Sequence, residues 1–499
     1  YGVTMKDSER INITDCDMSK FAERAVSMTD CRDVVISGCH MYDLGKGGIG
    51  GGYTKGGKLY TEVIENLTNM GIVIENCEFN NFARIKQTYS PAVETFGAGM
   101  VVRNCKIYDS NCNAITVGGN DIIIENNEIF DVLQGTKDMG VFYSGSSKDG
   151  MGVVIRNNYI HDISSTEGNA IYVVYCDDTQ DGVTAESNLI VNVDGTVHFV
   201  NGGWDNNFRY NVLINCYETE IFTARGVIND YNVAEDARYA TFRYVYESGF
   251  EAYYKYPHWE GKLEDLLIKN TPKYNVIADN VIINVDSDIS LASNITDDLL
   301  TEVLANNTLE ESHSYLLAEI GFTNIDNGDY TIEGRNIYVT SADFTIKEDS
   351  VIYEDIEGFV AFDLSKIGLI GGSLELPGAI PLTALGEAGT DDDDEPKDEY
   401  QTVDVNALIA DEENWSASDG ATPVFDANGR WVNITAGSDA HAVVGYEGAS
   451  YKNTVFTFTY KQEHTGEAAT PWGGFGIQLV PSALPWATTS VLVCMKENQ

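Results

Sequence analysis

A short pattern recurs along the chain: an apolar residue, two further residues, and then cysteine or asparagine. Copies lie at 13–16, 36–39, 74–77, 102–105, 124–127, 155–158, 185–188 and 208–211, with a late copy at 277–280. Steps between the first eight copies run from 22 to 38 residues. A period of this size is typical of a solenoid, in which each repeat packs only against its neighbours.

Each copy belongs to a stretch in which apolar and polar residues alternate, as in Glu128-Ile129 or Tyr159-Ile160. Alternation indicates a strand with one buried face, and β-branched residues dominate these stretches. A single repeat cannot bury its face alone, so successive strands must stack, about 4.8 Å apart. The sequence therefore predicts an all-β fold, a right-handed parallel β-helix over residues 1–385.

The last position of the pattern changes along the chain, from cysteine at 16, 39, 77 and 105 to asparagine at 127, 158, 188 and 211. A stacked asparagine column passes amide hydrogen bonds from coil to coil. A stacked cysteine column acts as small buried filler. We expect these cysteines to point inward and to be largely reduced, although a disulfide framework is the alternative for a secreted chain.

The pattern weakens after the eighth copy. Residues 231–320 are predicted to form a less regular, aromatic excursion, with a helix-like segment near Thr296. Residues 386–400 contain an acidic run that repels itself, which predicts a solvated linker; a calcium site is the less favoured alternative. Residues 401–499 read as a partial, truncated β-sandwich that would bind carbohydrate. The chain opens and closes in strand-like sequence, so we expect a fragment.

The charge is strongly negative: 31 Lys and Arg against 77 Asp and Glu give −46. This field repels nucleic acid and anionic membrane surfaces, so neither is an expected partner. No apolar run approaches the ~20 residues of a membrane span. There is no phosphate loop and no zinc spacing, so no metal or cofactor is expected. Aromatic richness favours a secreted or cell-surface monomer that faces a polysaccharide or oligosaccharide.

Carboxylates are the best candidates for chemistry. Asp138 lies in a glycine-flanked loop, and Asp177 and Asp178 lie in the corresponding loop of the next coil. Stacking of coils would bring them to one side, and hydrolysis of a glycosidic bond needs two carboxyl groups across that bond. The alternative interpretation is that acids beside glycine are turn residues without a chemical role.

Four stretches carry a resemblance to known proteins: 81–93, 118–121, 159–162 and 202–206. Together they resemble β-helix carbohydrate-active proteins, and glycoside hydrolase family 141 most of all. The resemblance covers roughly residues 30–290 and extends more weakly to 370. It implies a fucosidase- or xylanase-like activity on plant cell-wall glycans.

The resemblance also implies site residues. One family motif is matched by Asp138-Met-Gly-Val-Phe-Tyr143, and a second by Ile171-Tyr172 together with Asp177-Asp178. These matches make Asp138, Asp177 and Asp178 the expected catalytic residues. The residues expected to bind substrate are Arg84, Asn120, Tyr143, His161, Tyr172 and Trp204.

Two other functions remain open. A polysaccharide lyase or epimerase on the same fold would need a basic residue, for which the candidates are Arg84, Lys86, Lys137 and Arg156. A non-catalytic glycan-binding protein is the third possibility. The chain departs from the family pattern at Lys137, at Ser146, and in about three extra residues before Asp177, so Asp138 is the more direct match.

Overall fold

The computed structural model describes residues 1–291, 295–322, 344–361, 363–370, 421–426, 429–434 and 492–493. The predicted acidic linker at 386–400 lies outside these residues, and so does most of the predicted sandwich at 401–499. Both therefore stay predictions.

Parallel strands stack into three sheets along one axis. Sheet 1 contains β2 (Glu9–Thr14), β5 (Arg32–Ser37), β8 (Ile72–Glu75), β11 (Val101–Arg103), β14 (Ile123–Glu125), β17 (Val153–Arg156), β20 (Val183–Glu186), β22 (Asn207–Arg209), β24 (Val276–Ala278) and β27 (Thr308–Leu309). Sheet 2 contains β3 (Asp17–Ser19), β6 (His40–Tyr42), β9 (Glu78–Phe82), β12 (Lys106–Ser110), β15 (Glu128–Phe130), β18 (Tyr159–Ile163), β25 (Val281–Ile283), β28 (His313–Ser314) and the first halves of β21 (Leu189–Asn201) and β23 (Val212–Thr223).

Sheet 3 completes each coil. It contains β1 (Val3–Lys6), β4 (Val26–Thr29), β7 (Ile49–Gly52), β10 (Val93–Glu94), β13 (Ile115–Thr116), β16 (Met139–Gly145), β19 (Ile171–Asp177), the second halves of β21 and β23, and β26 (Ser287–Leu291). Because β21 and β23 run through both sheets, sheets 2 and 3 are continuous there. The fold is a right-handed parallel β-helix, as predicted.

The strand register follows the sequence repeat. In sheet 1, the first apolar residue of every copy pairs with that of the next, from Ile13 on Ile36 to Phe208 on Ile277. The late copy at 277–280 is therefore a true coil. The uneven step length comes from loops that leave the coil between strands, not from slips in register.

The asparagine column forms the predicted ladder. The amide nitrogen of Asn127 donates to the side-chain oxygen of Asn158 over 2.9 Å, and the same bond repeats from Asn158 to Asn188, on to Asn211, and on to Asn280. Each amide also bonds the backbone, so these buried polar groups are satisfied and fix the register.

The cysteine column continues the same position toward the N-terminus. Cys39, Cys77 and Cys105 are buried, Cys16 is partly buried, and every cysteine in the described part of the chain is a free thiol. Burial raises the pKa of the Cys77 thiol well above its ordinary value, which keeps it protonated and unreactive. The column therefore acts as inward apolar filler.

The irregular excursion is shorter than predicted. It begins after β23 with α2 (Arg225–Ile228), continues through α3 (Ala240–Glu247) and α4 (Lys262–Ile268), and ends where β24 resumes the coils. The expected excursion at 231–320 is corrected accordingly, since aromatic residues mask the return of the repeat. The helix-like segment near Thr296 is α5 (Asp297–Asn306), whose first turn the Thr296 side chain caps.

A buried charge cluster ties this excursion to the coils. The ammonium groups of Lys148 and Lys262 lie 3.0 and 2.9 Å from the two carboxylate oxygens of Asp181, and none of these side chains is exposed. The Lys262 ammonium also lies within 5.8 Å of the ring centroids of Trp204, Phe242 and Trp259. Aromatic faces and the Asp181 carboxylate together stabilise the two buried cations.

A second apolar core covers the outer face of sheet 2 at the C-terminal coils. Leu189, Val191 and Val212 point outward there and pack against later residues, among them Phe344, Ile352, Phe359 and Leu364. Short helices in and near this covering segment are α6 (Leu317–Ile320) and α7 (Ile352–Asp355), while α1 (Lys58–Asn66) lies in an early loop. Among the described residues, no such apolar core covers the central strands of sheet 3.

A second compact unit spans Ile380–Glu467. Its described strands, β29 (Ala421–Asp426) and β30 (Gly429–Ile434), form an antiparallel hairpin. In the first unit, β31 (Leu492–Val493) pairs antiparallel with β1. Within the described ranges, no helix is both long and apolar enough to cross a bilayer.

Candidate active site

The middle strands of sheet 3 are bent so that their outer face forms a groove. In β19, both Val173 and Val174 are buried in the core, so two neighbouring side chains point inward and the strand turns between them. The outward residues on either side, Tyr172 and Tyr175, meet with ring centroids 4.4 Å apart. The same inward pair occurs at Val197 and His198 of β21, so the bend continues as a concave surface.

Asp138 and Asp177 lie on the two sides of this bend. Asp138 immediately precedes β16, and Asp177 is the last residue of β19, paired with Gly145 at the far end of β16. Tyrosines connect both to the groove: Tyr175 donates its hydroxyl to Asp138 Oδ1 over 3.1 Å, and Tyr143 donates to Asp177 Oδ2 over 3.0 Å. Asp138 lines the groove itself, and Asp177 reaches it through Asn201, which lines the groove and donates to Asp177.

The two carboxylates have different surroundings. Asp177 accepts hydrogen bonds from the Tyr143 hydroxyl, from the Asn201 amide over 2.7 Å, and from the backbone N–H of Asp178 over 2.7 Å. Asp138 accepts the single bond from Tyr175 described above. Asp177 is therefore held in place by three hydrogen-bond donors, and Asp138 by one.

Asp178 does not join this pair. It accepts hydrogen bonds from Arg225 Nε and from the Tyr231 hydroxyl, each over 2.9 Å, and lies 3.7 Å from a guanidinium nitrogen of Arg238. The structure thus corrects the expected catalytic role of Asp178. The side chains of Asp177 and Asp178 have different partners, and that of Asp178 holds the excursion against the coils.

Residues from four coils and from the excursion line the groove. A cavity of about 240 Å³ is lined by Asp138, Tyr175, Phe199, Asn201, Thr223, Arg225, Ile228 and Asn229. Sequence reasoning missed Phe199, Asn201 and Thr223 as site residues, although strand alternation places them on the outward face with Tyr175 and Asp177. Arg225 had no sequence signal, because it enters from the excursion rather than from a coil.

Three tyrosines on the groove wall hold their protons firmly. Burial, together with the nearby Asp138, Asp177 and Glu218, raises the pKa of Tyr172 to about 12. Burial and the same two aspartates also raise the pKa of Tyr175, and burial with Asp177 raises that of Tyr143. These hydroxyls therefore act as hydrogen-bond donors and not as bases at neutral pH.

The expected substrate-binding residues separate into three groups. Tyr143 and Tyr172 line the groove beside the acids. Trp204 and Asn120 are corrected: both are buried, the Trp204 indole N–H donating to the Thr271 carbonyl and the Asn120 amide to the Asp149 carbonyl, so neither can contact a ligand.

Arg84 and His161 lie away from the acids and are corrected as well. His161 is on sheet 2, stacked between Phe130 and Tyr159, with Nδ1 2.8 Å from Asp162. Arg84 is half exposed, 3.9 Å from Asp43, and lines neither described cavity. The position of a residue within the sequence repeat did not reveal on which of the three sheets it would lie.

A buried acid–base pair lies directly behind the groove. His198 Nδ1 bonds Glu220 Oε2, both side chains are fully buried, and the His198 ring stacks on Phe208 at 4.6 Å. Burial raises the pKa of Glu220 to about 7, although His198 opposes the shift. Glu218, the next outward residue, accepts a bond from Thr196 Oγ1 over 2.8 Å.

This pair predicts a pH dependence of stability. Glu220 ionises near its ordinary value of 4.5 when unfolded and near 7 when folded, so between these values the folded chain binds more protons. The contribution of Glu220 to the free energy of unfolding is therefore fully present below pH 4.5 and is lost as the pH rises to 7. Relative to Glu220→Gln, the wild type should lose unfolding free energy across this range, measured by urea denaturation. Parallel pH profiles would contradict the assignment.

Comparison with known families agrees with the fold. A right-handed parallel β-helix fits carbohydrate-active or pectate-lyase-like proteins. Residues 64–213 match a family model described as a right handed beta helix region. That stretch includes Asp138, Asp177 and their tyrosine partners. No curated protein and no solved structure matches the chain.

Proposed function

We propose that this protein is a glycoside hydrolase that cleaves a polysaccharide in the groove of sheet 3. The observation that supports this most is that Asp138 and Asp177, from adjacent coils, accept hydrogen bonds from Tyr175 and Tyr143, two tyrosines whose rings meet at 5.5 Å. A glycosidic bond held across the groove would have a carboxyl group on each side, which is the arrangement that hydrolysis requires.

The hydrogen bonds assign a role to each acid. Asp177, with three donors, is the carboxylate that acts as nucleophile or as general base toward water. Asp138, with one donor, is the general acid that protonates the departing sugar oxygen. The Tyr172, Tyr175 and Phe199 rings form an apolar wall against which a sugar ring packs, and Asn201 holds Asp177 in place.

The surroundings of the groove favour hydrolysis over a lyase reaction. A lyase needs a base to remove a carbon-bound proton, yet the tyrosines here have raised pKa values. Arg225 is a poor base too: burial alone would lower its pKa, but the hydrogen bonds that it donates to Tyr231 and Asp178 leave it raised. Among the basic candidates from the sequence, Arg156 pairs with Glu125 on sheet 1, away from the groove.

A substrate screen tests the proposal. The protein is incubated with arabinoxylan, fucosylated xyloglucan, homogalacturonan and alginate, and two signals are read from each reaction. Release of reducing ends without absorbance from unsaturated products is the expected result on a neutral plant glycan. Unsaturated products would identify a lyase instead, and binding without any product would identify a glycan-binding protein.

A further inference from the structure

A second cavity lies on the same sheet as the acid groove. This distal cavity, of about 420 Å³, is lined by strands β4, β7 and β10 and by the loop that leads into β10. Its lining includes Arg24, Lys46, Gly52, Tyr89 and Glu94. The catalytic roles proposed above use none of these residues.

One line of outward residues joins the two cavities. Glu94 of the distal cavity pairs in register with Thr116, Thr116 with Tyr143, Tyr143 with Tyr175, and Tyr175 with Phe199 of the acid groove. From β7 to β21 there are five strand steps of about 4.8 Å, or about 24 Å along the axis. Both cavities thus open on one face, in line with the helix axis.

Tyr89 lies at the surface between the distal cavity and the acid groove. It lines the distal cavity, is 55% exposed, and meets Tyr143 edge-on with ring centroids 5.8 Å apart. An edge-on contact leaves an aromatic face uncovered, and such a face packs well against the apolar side of a sugar ring. Tyr143 in turn bonds the catalytic Asp177, so the aromatic path runs from one cavity to the other.

Five charged side chains line the distal cavity; four of them form two ion pairs, and the fifth is Lys86. Arg24 forms an ion pair with Glu94, and Lys46 with Glu23 at 2.5 Å. A paired cation is a weak site for an anion, whereas the pair still offers several donors and acceptors to hydroxyl groups. This chemistry fits neutral, hydroxyl-rich sugar units better than uronate or sulfate groups.

We propose that the distal cavity binds further units of the same neutral glycan chain whose bond is cleaved between Asp138 and Asp177. The protein would then act within long chains and would prefer them to short oligosaccharides. This inference rests on the proposed function, since it extends the substrate of that site.

Gly52 offers a way to block the cavity without disturbing the fold. A Cβ atom built at Gly52 meets nothing within 4 Å, and the residue lies at the end of β7. Gly52→Trp should therefore fill the distal cavity while the coil stays intact. Asn12→Trp is the matched control, because Asn12 is an exposed position on sheet 1, on another face of the helix.

The measurement is kcat and KM on linear oligosaccharides of graded length, made from whichever neutral glycan of the screen is bound or cleaved. For the wild type and Asn12→Trp, KM should fall about tenfold or more, worth about 1.4 kcal/mol, once the chain spans both cavities. Gly52→Trp should lose most of this gain through KM and not through kcat. A flat length profile, or a gain that Gly52→Trp retains, would overturn the distal cavity but leave the hydrolase standing.

Calorimetry with the same oligosaccharides separates the two proposals. Binding that grows with chain length, is lost in Gly52→Trp and occurs without cleavage would keep the distal cavity and overturn the hydrolase. Cleavage combined with binding that does not depend on chain length would keep the hydrolase and overturn the distal cavity. A preference for uronate oligosaccharides over neutral ones would overturn the assigned sugar class.

Discussion

Replacing Asp181 with asparagine is expected to lower the free energy of unfolding by about 3–5 kcal/mol. The substitution keeps the size of the side chain but removes the negative charge that two buried ammonium groups share. Lys148 and Lys262 would then lose the carboxylate that they share. Lys262 would keep the Lys148 carbonyl, Met151 Sδ at 3.6 Å and aromatic rings as neighbours, while Asp149 and Asp205 attract it without forming an ion pair. Urea denaturation at neutral pH measures the change.

An exposed aspartate provides the matched control. Asp7 lies 3.9 Å from Lys6 with both side chains about half exposed, and its backbone has a positive φ of 48°, which asparagine also tolerates. Asp7→Asn should change stability by no more than about 0.5 kcal/mol. Equal effects at Asp7 and Asp181 would show that the buried cluster has no special role.

The expected loss is large because the cluster joins separate parts of the chain. Lys148 follows β16, Asp181 follows β19, and Lys262 begins α4 of the excursion. The excursion also carries Arg225 into the acid groove. We therefore expect Asp181→Asn to loosen the groove wall as well as the fold, while leaving the sheet register in place.

The coil architecture was predictable because its signals are local and repeated. The alternation of apolar and polar residues identified the strands. The repeated four-residue pattern, first seen at 13–16, aligned them in the register that the structure shows. The asparagine ladder followed from the same position, since an amide can both donate to and accept from its equivalents above and below. The return of the coils at Ile277 was visible in the sequence, but the aromatic residues before it hid where the excursion ends.

The site was predictable only where it rests on one coil and its neighbour. Asp138, Tyr143, Tyr172 and Asp177 satisfy this condition, because parallel stacking carries equivalent positions to one face. Trp204 fails, because a cluster with Lys262 from the excursion buries it. Arg225 is the opposite case, a groove residue that the sequence did not predict. Its place in the groove depends on a long-range ion pair with Asp178 that no spacing in the sequence encodes.

Asp138→Asn and Asp177→Asn should each reduce turnover of the true substrate by a factor on the order of 10² or more, with the melting temperature nearly unchanged. Asparagine keeps the hydrogen bond from Tyr175 or Tyr143 but can neither transfer a proton nor attack a sugar. At Asp138 the backbone φ is 54°, a conformation that asparagine adopts as readily as aspartate, so the fold is not strained.

Asp178→Asn is the contrasting variant, because it makes the same chemical change at the next residue. It weakens the ion pair with Arg225, so KM should rise through a misplaced groove wall while kcat changes much less. Melting temperature and turnover measured on one preparation of each variant separate these effects. Near-normal turnover by Asp138→Asn, or a loss at Asp178 as deep as that at Asp177, would contradict the assignment of the catalytic pair. The pair would then have to be sought among the remaining groove acids, with Glu218 beside Tyr172 as the next candidate.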